Sequence, residues 1–242
     1  MKRAILSFVV MSLAYGSASY AANDVLWQRY TDEGNNAKKD GNLTEAETFY
    51  RAALERADKL HSTDDVLRTS YQNLADTKYL HGHYADAVPL FKKAIDSYNS
   101  ELKRMTAEKI AVSEKLVKEQ MNLADCYRAD GKYKLAEAAY RDALKTLDSN
   151  HDDNKLMRAH VQSELGDTLC IEAKYSEAEA VYKEALPVLE KYNATDILVD
   201  LLQDYDALMR ATNRTSEAER LEGKLAAIRQ QEIKAVNSAT SH

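Results

Sequence analysis

The chain has 242 residues, a formal net charge of −6, and only seven glycines and two prolines. Those two residue types make up about 4% of the chain against an ordinary usage of about 12%, which excludes a turn-rich β-sandwich or a glycine-rich nucleotide-binding fold. Charged residues reach 30% and hydrophobic residues 45%, the balance of a folded, mostly helical chain and not of a disordered one.

In chain order, the first element stands apart from the fold. Lys2 and Arg3 precede an apolar run from Ala4 to Tyr15, interrupted by two serines. Ser19-Tyr20-Ala21 then places small residues where a signal peptidase reads them. Residues 1–21 are therefore predicted to be a cleaved secretory signal peptide, with export to the periplasm or the extracellular space. The run is shorter than the roughly 20 residues a membrane span needs, and stable membrane insertion is not expected. Cleavage removes two positive charges and leaves a net charge of −8. An acidic surface argues against a nucleic-acid partner, because binding phosphates needs a basic face.

Residues 22–234 read as one helical array, and 235–242 as a flexible tail. A segment recurs within the array: Gly41 to Leu54, Gly82 to Ile95, Gly131 to Leu144, Ala173 to Leu186, and a weaker copy from Asn213. The turn residues that open the copies are 41, 49, 42 and 40 positions apart. Gly or Asn suits a helix end that needs a left-handed residue, and Ala173 implies a different or slightly strained turn. Five positions on stands a small residue, Ala46, Ala87, Ala136, Ala178 or Ala218, which lets two helices approach. Four further on is Tyr50, Phe91, Tyr140 or Tyr182, and then Ala53, Ala94, Ala143 or Ala185 followed by Leu or Ile. That spacing is one face of an α-helix. Thr44 with Glu47, Ser176 with Glu179, and Ser216 with Glu219 read as capping boxes. The helix before each turn has its own apolar stripe: Tyr71, Leu74 and Ala75; Leu123, Ala124 and Tyr127; Leu165, Gly166 and Leu169. Each repeat is thus helix, tight turn, helix, over roughly 24–60, 65–101, 107–149, 154–192 and 195–232.

The pattern resembles the tetratricopeptide repeat (TPR), and its long steps and the wording of Tyr175 to Leu186 are similar to the longer variant of kinesin light chains. The resemblance implies an all-α, right-handed α-α superhelix, a TPR solenoid of about five helix pairs, whose concave groove binds proteins or peptides. In the family the first helix of each pair lines that groove. By resemblance the inward residues are Asn35, Lys38 and Lys39 in the first repeat, and Gln72, Asn73, Asp76 and Tyr79 in the second. They are Lys118, Met121, Asn122, Asp125 and Arg128 in the third, and His160, Ser163, Asp167 and Cys170 in the fourth. Some members grip a C-terminal carboxylate with Lys, Asn and Arg here. Asn35, Asn73 and Lys118 match, but Thr31 and Asn122 replace two of the cations, so that clamp is not expected to work.

The 49-residue step places about seven extra residues within Asp96 to Gln120, read either as longer helices or as a docking surface. Pro89 falls near a helix start, and Pro187, deeper, should bend its helix. The last repeat has Glu222 in place of the aromatic, as suits a terminal cap. No catalytic constellation, phosphate loop or hydrolase elbow is present, so no enzyme, cofactor or metal is expected. His81 and His83 flank Gly82, but the sequence places no third ligand nearby, and an exposed turn is the better reading. Cys126 and Cys170 read either as two small buried hydrophobes or as a disulfide between neighbouring helices. Asn42, Asn193 and Asn213 begin glycosylation triplets. The expected function is a non-catalytic exported protein that binds a protein or peptide as scaffold or adaptor. The alternative is a cell-envelope assembly or enzyme-accessory factor that docks through its extended helices.

Overall fold

The computed structural model describes residues 25–59, 63–105, 109–149 and 154–239. The predicted signal peptide, residues 1–21, lies outside the described residues. Every regular element among the described residues is an α-helix. The helices are α1 (25–39), α2 (Leu43–Lys59), α3 (Asp64–Leu80), α4 (Tyr84–Arg104), α5 (Lys109–Ala129), α6 (Tyr133–Ser149), α7 (Lys155–Ile171), α8 (Tyr175–Tyr192), α9 (Thr195–Ala211) and α10 (Thr215–Ala239). They pack as consecutive helix pairs. The chain divides near the end of α4 into two compact units, one ending at Glu101 and the other beginning at Leu102.

One turn geometry closes every pair. Gly41, Gly82 and Gly131 have φ of +79°, +79° and +72°, and Ala173 and Asn213 adopt +58° and +61°. In each turn the left-handed residue donates its N–H to the carbonyl three positions back, and the next residue donates to the carbonyl five back. Gly41 bonds Lys38 at 3.1 Å and Asn42 bonds Ala37 at 2.8 Å; Ala173 bonds Cys170 at 3.0 Å and Lys174 bonds Leu169 at 2.9 Å. This is the helix-ending motif that satisfies the last carbonyls through a left-handed residue. Ala173 therefore makes the same turn as the glycines and bears the steric cost of its Cβ, about 1–2 kcal/mol. Replacing Ala173 by glycine is expected to stabilise the second unit by about 0.5–1 kcal/mol, after the greater freedom of unfolded glycine is subtracted. Urea denaturation followed by circular dichroism measures it.

The repeated small and aromatic residues form the core. Ala46, Ala87, Ala136 and Ala178 are fully buried, and so are Tyr50, Phe91, Tyr140 and Tyr182. Sixteen positions before each aromatic, on the preceding helix, stands Gly34, Ala75, Ala124 or Gly166. At two of these places the ring lies against bare backbone. A Cβ on Gly34 would meet a Tyr50 ring atom at 2.6 Å, and one on Gly166 a Tyr182 ring atom at 2.3 Å.

The capping boxes do not form as expected. Helices α2 and α8 begin at Leu43 and Tyr175, so Thr44 and Ser176 already lie inside them, and the N-cap of α8 is Lys174 with no side-chain bond to the helix. The glutamates of those motifs instead tie each repeat to the next. Glu47 accepts from Lys78 at 3.0 Å, and Glu179 from Arg214 at 2.6 Å. Glu137, at the same repeat position, accepts from Lys174 at 2.5 Å. In each case a long cation from the following helix or turn holds the carboxylate in a charge-assisted hydrogen bond.

The extra residues of the long step lengthen both helices beside it. Helices α4 and α5 have 21 residues each, where α2, α3, α6, α7 and α9 have 17. Helix α8 continues through Pro187 to Tyr192. Helix α10 runs to Ala239, five residues into the stretch read as a tail. Cys126 is buried and Cys170 half-buried, and no disulfide joins them.

Candidate functional site

In the first unit, α1 and α3 carry the residues expected to face a groove. Lys38 of α1 lies 3.7 Å from the Asp76 carboxylate of α3. Burial raises the Asp76 carboxyl above its ordinary range, and Lys38 opposes that shift. The Tyr50 hydroxyl donates to Asn35 Oδ1 at 2.7 Å, and the Gln72 amide donates to the Tyr98 hydroxyl at 3.1 Å. Tyr79 packs its ring 5.5 Å from that of Tyr84, and the Asn73 carbonyl accepts from Thr77 at 2.8 Å. Asn35 and Gln72 thus hold their own helix pairs together. Arg68, buried on α3, braces α4 through Glu101 at 2.6 Å and the face of the Tyr98 ring at 4.1 Å.

The second unit holds a defined cavity. It has a volume of about 360 Å³ and is lined by Lys118, Met121, Asn122 and Asp125 of α5. Leu156, Met157, His160 and Glu164 of α7, its N-cap Asn154, and Ile197 of α9 complete it. All three helices are the first of their pair. Met121, Leu156, Met157 and Ile197 supply an apolar floor, and polar groups from two helices converge on it. Asn154 is fixed twice, accepting from the Met157 N–H at 3.0 Å and donating to Glu114 at 2.7 Å.

A second, smaller cavity of about 200 Å³ shares Glu164 with the first and adds Arg128, Ser163, Asp167, Asp200, Gln203 and Asp204. One guanidinium therefore stands among four carboxylates. Arg128 reaches Glu164 at 2.9 Å and Asp125 at 3.4 Å, and it also bonds Asp167. Asp125 accepts in addition from the buried Tyr140 hydroxyl. Burial, together with Asp125, Asp167 and Asp204 and against Arg128, pushes the Glu164 carboxyl up to about 7. Burial, with Asp167 and Asp200 beside it, pushes Asp204 up to about 6. Burial lowers His160, whose Nε2 lies 3.8 Å from Glu164.

Of the expected residues, the larger cavity collects Lys118, Met121, Asn122, Asp125 and His160, and the smaller one takes Arg128, Ser163 and Asp167. The first-unit residues Asn35, Lys38, Gln72, Asn73, Asp76 and Tyr79 lie on α1 and α3, with the contacts given above. Sequence reasoning missed Glu164, Asp200 and Asp204. A signal for them exists: counted back from the turn at Asn213, Asp200 and Asp204 occupy the places of Lys118 and Asn122 before Gly131, and of His160 and Glu164 before Ala173. Among the described residues, Glu47, His81 and His83 form a group able to hold a metal ion. No helix among the described residues is long and apolar enough to cross a membrane.

A family model described as tetratricopeptide repeat matches residues 31–100 and 119–191, more than half of the chain. The chain belongs to the tetratricopeptide repeat family. Solved TPR-type structures share its fold. BtubC (BKLC) from P. vanneervenii superposes with a TM-score of 0.72 at 21% identity, covering 91% of this chain and 85% of that one. A Podosopora anserina protein of nearly identical TPR-like repeats, provisionally assigned as a kinesin light chain, gives 0.68 at 16% identity, covering 86% and 96%. PlcR of Bacillus thuringiensis, solved in complex with the peptide PapR7 and DNA, gives 0.59 at 16% identity, covering 88% and 73%. No curated protein matches the chain. The expectation of a TPR repeat of the kinesin-light-chain type, built from consecutive helix pairs, agrees with these likenesses.

Proposed function

We propose that this TPR protein is an exported, non-catalytic scaffold or adaptor that binds a protein or peptide partner on its first helices and takes a basic side chain of that partner into the second unit. The observation that carries the proposal is the pair of adjoining cavities. An apolar floor of Met121, Leu156, Met157 and Ile197 suits an aliphatic stem, and the surplus of carboxylates around Arg128 suits a cationic head. The fold commonly serves protein–protein interaction, and PlcR was solved with a peptide. Export rests on the leader of residues 1–21.

Fluorescence anisotropy with labelled peptides bearing one central arginine, alanine or glutamate tests the binding. Arginine should bind best and glutamate worst, at least about tenfold apart, as expected for a charge pair worth at least 1.4 kcal/mol. A bound cation favours the ionised carboxyls, so affinity should rise from pH 6 to pH 8 as the protons to be displaced become fewer. Equal binding of all three peptides, or of none, would overturn the proposal. For export, N-terminal sequencing of the chain from fractionated cells should begin at Ala22; an intact Met1 in the cytosol would contradict it.

A further inference from the structure

We propose that Glu47, His81 and His83, in the first unit, bind a late first-row divalent cation, with zinc as the reference ion. The two histidines flank Gly82, whose φ of +79° folds the turn so that their rings stack with centroids 4.6 Å apart. The helix α2 presents Glu47 to them from the preceding repeat. Its Oε2 lies 3.9 Å from His81 Nδ1 and 4.0 Å from His83 Nδ1. One ligand atom from each of the three residues lies within 4.8 Å of the others. Zinc ligands about 2.0–2.2 Å from the ion stand roughly 3.3–3.5 Å apart. Closing the site therefore asks only for a rotation of two exposed rings, and water can take the remaining position.

The carboxylate is already oriented for the task. Glu47 Oε1 is held by Lys78 at 3.0 Å and by Arg51, which leaves Oε2 toward the imidazoles. Such support of a ligand through its other atom tightens metal sites. The repeat pattern adds an independent reason. Glu137 and Glu179, the counterparts of Glu47, are joined to Lys174 and Arg214, which stand immediately after the turns. In the second repeat that place is His83, which faces Glu47 Oε2, while Lys78 from within α3 takes Oε1. Two imidazole nitrogens and one carboxylate oxygen suit zinc, nickel or copper and not magnesium or calcium, which prefer all-oxygen shells. Lys78 opposes the ion, but it keeps Asp86 as a second partner at 3.3 Å.

Isothermal titration of the untagged, metal-stripped chain with zinc chloride tests the site, with magnesium chloride as control and cobalt(II) absorption as an independent readout. One zinc per chain is expected, with no magnesium heat at the same concentrations. His81→Ala and His83→Ala should each weaken zinc at least tenfold and abolish the cobalt band, with unchanged circular dichroism. His160→Ala with Cys170→Ala should leave binding intact. Glu47→Gln should behave like the histidine variants; if it fails to fold, the two turn variants decide alone. Zinc affinity that survives both histidine substitutions, or a dissociation constant no tighter than about 1 mM, would overturn the proposal.

Discussion

Replacing Arg128 by methionine is expected to destabilise the second unit by about 2 kcal/mol at pH 7.5, and by much less at pH 5. The guanidinium stands against Asp125, Glu164 and Asp167, and its loss leaves like charges facing one another across α5 and α7. Removing one partner of a fully buried pair costs roughly 3–5 kcal/mol. The Arg128 side chain is 29% exposed, so water screens part of the loss. The pH dependence follows from the carboxyls. Glu164 and Asp204 titrate near 7 and near 6 in the folded chain, against about 4.3 and 3.9 when unfolded. Between those limits the folded state holds more protons, so stability falls as pH rises through the window and returns as pH drops. Taken in full, the two shifts amount to about 4 kcal/mol between pH 7.5 and pH 5. Solvent screening and His160, held low by burial and so acting in the opposite sense, reduce the expected gain of the unaltered chain to about 1–2 kcal/mol. The variant should gain more, because no cation offsets the protonation. Glu179 shifts the other way, held low by Arg214 and Lys183. Its contribution is present above the unfolded carboxylate range and lost only below that window. Hydrogen exchange in α5 and α7 at the two pH values reads the effect locally, which suits a repeat protein whose parts open separately.

The second large effect lies in the core of the fourth repeat. Tyr182 is fully buried, its ring against Gly166, its hydroxyl 3.8 Å from Cys170 Sγ, and its centroid 5.4 Å from that of Tyr205. Tyr182→Ala is expected to cost about 3–5 kcal/mol, the loss of a buried aromatic together with the cavity it leaves. Gly166→Ala would gain about 1 kcal/mol of helix propensity at an open site. Here its Cβ would stand 2.3 Å from a ring atom that has nowhere to go, so a net loss of about 1–2 kcal/mol is expected. With Tyr182→Leu in place the same substitution should be neutral or stabilising. A double-mutant cycle by urea denaturation measures the difference; an unchanged penalty in the leucine background would locate the strain elsewhere.

Much of this was legible in the residues because a repeat announces itself. The turns fell where Gly41, Gly82, Gly131, Ala173 and Asn213 stood, since a left-handed residue is required there. The buried faces followed the spacing of Ala46 with Tyr50 and its copies. The role of Glu47 was not legible, because a Thr-x-x-Glu pattern looks the same whether the glutamate caps its own helix or reaches Lys78 on the next. Gly34 and Gly166 gave no sign of the rings that cover them, which belong to another helix. The third ligand beside His81 and His83 escaped for the same reason: Glu47 is brought there by packing, not by spacing. At the candidate site, Lys118, Asn122, Asp125 and Arg128 came from the family resemblance. Glu164, Asp200 and Asp204 needed the repeat register to be carried into α7 and α9.

The most direct test of partner binding is site-specific photo-crosslinking in living cells, with a benzophenone amino acid at Asn122 in the larger cavity and, separately, at the exposed Lys145 on α6. Crosslinks from position 122 to one protein, mapped by mass spectrometry to an extended segment with a basic residue, are expected, with none from position 145. Equal crosslinking from both positions, or crosslinks from position 145 alone, would contradict a partner seated on the first helices.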